Sequence, residues 1–394
     1  MLIRILAVVP SFFGPTGDAV NERQLLMAIA KKIEKCYVVT FVGFKQFLTK
    51  RRMDLKLRRL NNLTVIPIPI PQAHPLILFL AMVCLSCFIS VSIVLLNALG
   101  RMKMNLIYTR NSFLSIGFLT FRSLAEKTIV KISAITEEEL MVGSTMKFLI
   151  GKLSSLLDRL ALAKAKKVAV HNILFYKKLV RIRSFKNFNN CIEVPPGVDL
   201  NLIRKLRDQM VSEPMRSSIN IGFLGSLKWW QGADVVVQAI ALLKNHLPRI
   251  RLYFIGDGEL KYEIEKMCKA LNISYKVTGY LPHEEAIKYL RILDIMVMPR
   301  KRTITTESVI PLKLIESWAF GIPVIVTAHE ALTNRYRDCE DLLYVEPVPE
   351  EVASKILLLL SNKPLREKLS RRGVFLAEEF SYDNIAKTIL KSIK

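Results

Sequence analysis

The chain has 394 residues, 51% hydrophobic and 23% charged, with no low-complexity run and no fixed-period repeat. That excludes a disordered, fibrous or solenoid protein and leaves enough length for two domains, each with its own core. Lysine and arginine number 58 against 34 acidic residues, a formal charge of +24, so the surface draws phosphates, whether in nucleotide ligands, anionic lipid or nucleic acid. Residues 1–200 hold most of the excess, 29 basic against 11 acidic side chains, concentrated at 45–59 and 145–190. No helix-turn-helix, zinc module or aromatic-basic sheet motif accompanies it, which argues against a nucleic-acid partner. The six cysteines are scattered, and the pair Cys84 and Cys87 lies in an apolar run without a nearby histidine. Metal and disulfide roles are therefore weak readings, and a reducing cytoplasm fits.

Met1 to Pro10 has one arginine ahead of a six-residue apolar run and no small-residue cleavage site, so it reads as a first strand and not a signal peptide. Short β-branched runs then alternate with longer helical patterns, as in parallel sheets covered by helices on both faces. Strands are expected at Ile3–Val9, Tyr37–Val42, Leu63–Pro67, Asn105–Tyr108, Thr128–Ile132, Lys167–Val170 and Cys191–Val194. The turn Gly14-Pro15-Thr16-Gly17-Asp18 precedes a helix from about Ala19, and Gly17 can bring backbone amides to an anion there. Leu76 to Gly100 runs 25 residues without a charge, long enough to cross a bilayer. Strand candidates on both sides of it favour an interfacial or re-entrant helix, with Ser86, Ser90 and Asn97 on one face.

Pro195-Pro196-Gly197-Val198-Asp199 closes a first domain at 1–200, and 201–218 read as a linker. New strands are expected at Asn220–Leu224, Arg251–Ile255, Tyr275–Thr278, Ile295–Met298 and Pro323–Val326, giving a second domain at 219–380. Residues 381–394 read as a helix able to pack back on the first domain. The expected fold is α/β: two Rossmann-like doubly wound domains facing a central cleft, where the carboxyl ends of strands hold ligands.

The stretch Gly225-Ser226-Leu227-Lys228-Trp229-Trp230-Gln231-Gly232 joins a strand to a helix. Such a turn suits a diphosphate held by backbone N–H groups and one cation, for which Lys228 is the candidate. Gly256-Asp257-Gly258-Glu259 is a second glycine-bracketed turn, where Asp257 reads as a helix cap or a rim residue, and Thr278 and Arg300 bring further loops to the same rim. From Thr305 to Ile325 a helix is expected to start near Pro311, with Glu307 just before it, Lys313 in its first turn and Glu316 further along. Carboxylates there accept hydrogen bonds from sugar and ribose hydroxyls, and the lysine reaches an anion.

Taken together, Gly225-Ser226, Gln231-Gly232-Ala233-Asp234, Gly256-Asp257-Gly258, Thr278-Gly279 and Glu307 through Val324 resemble the retaining glycosyltransferases of family 4, within the glycosyl transferases group 1, which have the GT-B fold. In the first domain Ile107 to Asn111 and Pro196 to Asp199 resemble that family's fourth-strand segment and pre-linker turn. The resemblance implies transfer of a sugar from a nucleotide diphosphate donor to an acceptor hydroxyl, without metal or cofactor. It implies Lys228, Lys313 and Glu307 as catalytic residues, the lysines on the diphosphate and Glu307 on the transferred sugar. Substrate would be bound by Gly17, Gly225, Ser226, Gln231, Asp257, Thr278, Arg300, Ser308, Leu314 and Glu316, the last holding the donor ribose. The chain departs from the family pattern where Ser226 and Gln231 replace an arginine and a lysine, where Ser308 stands at the expected place of the first glutamate, and where Ser133 replaces a histidine. The acceptor side, including Arg110 and Glu137 to Glu139, stays undefined. The implied partners are a lipid-linked or glycan acceptor and an anionic membrane, with the protein peripheral or monotopic on the inner face of the cell membrane. A nucleotide-sugar epimerase of the same fold and a non-catalytic membrane-associated subunit are the alternatives.

Overall fold

The computed structural model describes residues 3–13, 17–43, 61–70, 75–101, 103–133, 145–185, 190–208, 218–244 and 249–393. The basic stretch at 45–59, the turn residues Gly14 to Thr16 and Glu137 to Glu139 lie outside the described residues. The chain divides into a first unit, Met1–Pro195 with Tyr382–Lys394, and a second, Pro196–Ser381.

In the first unit the elements are β1 Arg4–Val9, α1 Gly17–Ala30, β2 Lys35–Gly43, β3 Leu63–Ile70, α2 Pro75–Ala98, β4 Leu106–Arg110, α3 Ile116–Thr120, β5 Thr128–Lys131, α4 Thr145–Lys164, β6 Lys167–Val170, α5 Ile173–Ile182 and β7 Cys191–Glu193. The strands form one parallel sheet in the order β3-β2-β1-β4-β5-β6-β7. β1 and β4 are almost wholly buried because both sheet faces are covered, which is why they read as unbroken apolar runs. One face packs Leu25, Ile29 and Val38; the other packs Val39, Phe118 and Ile93.

Ile93 belongs to α2, the uncharged helix. By length and composition α2 could cross a membrane, yet β3 before it and β4 after it belong to the same sheet. One face of α2 is fixed to the unit: Ser86 and Ser90 are fully buried, and Ser86 Oγ donates to Leu114 O at 2.8 Å. The approach to α3 is close enough that a Cβ on Gly117 would lie 2.6 Å from Cys87 Cα and Ser86 O. The opposite face carries Ile77, Leu80, Phe88, Val91 and Leu95, all exposed and spaced three, four or eight residues apart, as residues on one helix face are. Phe88 is 71% exposed.

The second unit begins with α6 Leu200–Asp208, which the sequence reading placed in a linker; Ile203 and Leu206 sink into this unit's core. Then follow β8 Ile219–Leu224, α7 Ala233–Leu243, β9 Ile250–Ile255, α8 Lys261–Ala270, β10 Ser274–Val277, β11 Ile295–Met298, α9 Ile304–Ser308, α10 Leu312–Phe320, β12 Val324–Thr327, β13 Leu343–Val345, α11 Pro349–Ser361 and α12 Lys363–Ala377. The parallel order is β10-β9-β8-β11-β12-β13, with the reversal of strand order between β8 and β11. β13 has only three residues and escapes the pattern reading. The helix expected at 381–394 is α13 Tyr382–Lys391, which follows α12 and a short 3₁₀ turn at Glu378–Phe380. α13 belongs to the first unit, where Tyr382, Ile385 and Ile389 join the α1 face of the core and Asp383 pairs with Lys32 at 3.0 Å.

Replacing Gly117 by alanine puts a methyl group against backbone. The expected result is a loss of about 1–3 kcal/mol, the usual cost of overpacking, read as a lower urea midpoint; an unchanged midpoint contradicts the α2–α3 contact.

Candidate functional site

In the second unit the carboxyl ends of β8, β9, β11 and β12 lie around the point where strand order reverses, the place where open α/β sheets bind ligands. β8 is followed by Gly225, whose φ of 131° is a conformation side chains avoid. A Cβ there would lie 3.0 Å from Lys313 Nζ. Lys313 sits in the first turn of α10, donates to Gln231 Oε1 at 2.6 Å and lies 5.1 Å above the Phe223 ring. Burial, then the Arg300 charge, push its pKa well below the ordinary lysine value, against the pull of Glu316.

Glu316 is one turn further along α10 on the same side. It is 4% exposed, and its Oε1 meets His283 Nε2 at 2.5 Å. His283 opens the short helix His283–Ala286 and was not singled out by sequence reasoning, which had no spacing to link it to a residue 33 positions away.

Glu307 lies within α9, a separate helix closed by a capping box between Thr303 and Thr306, and not in the loop before α10. Its Oε1 meets Arg302 Nη1 at 2.6 Å and His329 Nδ1 at 3.3 Å, and its Oε2 accepts from the Glu330 N–H at 2.8 Å. Burial raises the Glu307 pKa, but the Glu330 N–H, Arg302 and His329 outweigh it, and the carboxyl titrates below its ordinary value. His329, also absent from the sequence reading, is 1% exposed, and burial followed by the Arg300 charge lowers its pKa to about 4.

Asp257 does not cap α8, whose N-cap is Leu260. Instead it accepts from the N–H groups of Gly258 at 2.9 Å and Tyr280 at 3.3 Å, while Thr278 Oγ1 accepts from Gly256 at 3.1 Å, so both tie the ends of β9 and β10 together. Arg300 is buried behind β11, 5.3 Å from the Trp230 ring. Lys228 is exposed, Ser226 partly so. Ser308 Oγ donates to Ile304 O at 2.6 Å inside its own helix, and Leu314 is core beneath α10. Gly17 opens α1 in the first unit.

The first unit has a buried ionic cluster at the ends of its own central strands. Glu22 accepts from Lys131 at 2.7 Å and Tyr108 at 3.0 Å, with Arg110 at 3.5 Å. Burial opposes the charge on Glu22, but Lys131 and Arg110 prevail and lower its pKa. His171 beside them is held down to about 3, by burial first and then by the same two cations. Arg110 is the one member that the sequence reading placed on the acceptor side.

Residues 211–374 match the family model of the glycosyl transferases group 1. An uncharacterized glycosyltransferase of Methanocaldococcus jannaschii is 23% identical over 227 residues, 56% of this chain and 57% of that protein. A lipopolysaccharide core biosynthesis glycosyltransferase of Rhizobium meliloti is 28% identical over 163 residues, 41% of this chain and 45% of that protein. The chain spans about half the length of the curated relatives it matches. Among solved structures, Anabaena HepE in complex with UDP and glucose superposes with a TM-score of 0.68 at 15% identity, covering 99% of this chain and 98% of that one. The fold is the two-domain, parallel-sheet α/β architecture of GT-B glycosyltransferases.

An unfolded His329 takes up its proton near pH 6.5, the folded one only near pH 4. Its contribution to stability is therefore complete above pH 6.5 and is lost as pH falls from there toward 4; His171 acts in the same direction down to about 3. His329→Asn is expected to flatten the decline in urea midpoint between pH 7 and pH 5; identical slopes in both proteins contradict a buried neutral ring.

Proposed function

We propose that the chain is a retaining glycosyltransferase that moves a sugar from a nucleotide diphosphate donor to an acceptor hydroxyl. The observation that carries this reading is Lys313, a lysine drawn out of water against the Gly225 turn with Gln231 on its ammonium. Departure of a nucleoside diphosphate builds negative charge on the leaving oxygens, and a preorganised cation with reduced hydration stabilises that charge more than a solvated one. The match of residues 211–374 to the glycosyl transferases group 1 and the likeness of the fold to HepE support it.

In this reading Lys313 and the N-terminus of α7 receive the diphosphate, with Lys228 at the solvent side. Glu316 takes the ribose hydroxyls and is oriented by His283. Glu307 has both oxygens engaged within the protein, so it acts on the transferred sugar through His329, whose orientation it sets. The acceptor is lipid-linked or a surface glycan and is met at the inner membrane face. Two features support that place: the exposed apolar face of α2 and the basic excess of residues 1–200.

The test is nucleoside diphosphate release from a panel of nucleotide sugars, with and without a lipid extract. Lys313→Met is expected to lower kcat by about 10²–10³-fold, the usual loss when one transition-state donor is removed, and Lys228→Ala by less. Lipid-dependent release abolished in Glu316→Ala supports a transferase; the absence of release from every donor by the folded protein sinks it. For the membrane, Phe88→Asp is expected to reduce co-sedimentation with anionic phospholipid vesicles at low salt; equal sedimentation of both proteins removes α2 from the reading.

A further inference from the structure

Two cations meet at the carboxyl edge of β11 and β12, and only one of them has a partner in hand. Lys313 gives a hydrogen bond to Gln231. Arg300 is 6% exposed, and its Nε and Nη1 are buried without a hydrogen-bond partner among the described residues. No acidic side chain among the described residues neutralises it, and burial lowers its pKa to about 10. Its position is fixed: the guanidinium lies over Trp230, and the next residue, Lys301, donates its N–H to Trp230 O at 2.9 Å and pairs with Asp234 at 3.4 Å.

The neighbouring strand presents matching vacancies in hydrogen bonding. Met298 is in register with Val326, so Arg300 leaves the sheet beside Thr327 and His329. Thr327 Oγ1 and His329 Nε2 are buried and have no partner among the described residues. A desolvated guanidinium beside a second cation is an unfavourable arrangement in a protein without ligand. It becomes favourable when an oxyanion accepts from the unused N–H groups.

We propose that Arg300, held in place by Trp230, is an anion receptor for the bound donor, taking either an oxygen of the diphosphate or a carboxylate on the sugar. This rests on the donor-site reading and extends it. The glycine turn that carries Ser226 and Gln231 lacks cations in the positions where the resemblance expects them; Arg300 supplies charge to the same edge from β11.

Calorimetric affinities separate the sources. The ligands are a free nucleoside diphosphate, its glucose ester and its glucuronate ester, each in uridine, guanosine, adenosine and thymidine forms. Arg300→Gln is expected to weaken binding by about 10- to 100-fold, the scale of a lost charge-assisted hydrogen bond. Arg300→Lys, which keeps the charge and loses the planar fork, serves if the glutamine variant melts early, and it is expected to lose about 10-fold. Equal losses on all three ligands assign the diphosphate; a loss confined to the glucuronate ester assigns the carboxylate. Unchanged affinity for every ligand in a folded variant overturns the receptor while leaving the donor site standing. A wild-type protein that binds none of these ligands overturns the donor site and the receptor with it.

Discussion

The ammonium of Lys313 occupies space that exists because residue 225 has no side chain. With a Cβ 3.0 Å away, the ammonium would have to give by a few tenths of an ångström from the position that bonds Gln231 and lies over Phe223. Desolvation raises the cost of its charge, and the Arg300 charge raises it further. The surrounding structure tolerates this because the lysine is mounted on α10, whose other side inserts Leu314, Ile315 and Trp318 into a core continuous with β11 and β12. A deep apolar anchor thus holds a polar group where it would not settle by itself, as expected of a site prepared for a ligand.

The same logic governs the carboxylates. Glu316 and Glu307 both depend on histidines from remote segments, His283 and His329. Each pair joins a helix-borne acid to a histidine at the start of another short helix, so the orientation of the acid is set by how these segments pack and not by its own flexible side chain. Asp257 and Thr278 serve a related end between β9 and β10, using backbone N–H groups as the fixed partners.

Much of the fold is legible because buried parallel strands leave unbroken apolar runs and their helices leave periodic ones; β8, β9, β11 and β12 are all visible in this way. β13 is not, since Leu343-Tyr344-Val345 is too short to rise above its polar surroundings. α6 is hidden by Pro196 and Gly197, which announce a break without excluding a helix four residues later. At the site, local spacing finds Lys313 and Glu316 because one helix carries both. It favours Lys228 for its place in the turn, although that side chain is exposed. His283 and His329 are invisible to spacing because the sheet, not the local chain, brings them to their acids.

The chain enters the second unit at Pro196 and returns to the first at Tyr382, and these two crossings are joined side by side: Val198 N–H donates to Phe380 O at 2.8 Å, next to the Val198–Ser381 bridge. Topologically the second unit is an insertion in the first. During synthesis it can close around its own sheet while the first still lacks α13 and leaves Leu25 and Ile29 without their full packing. The second unit can therefore finish before its companion, and Tyr382–Lys391 acts as the latch that completes the earlier-made domain.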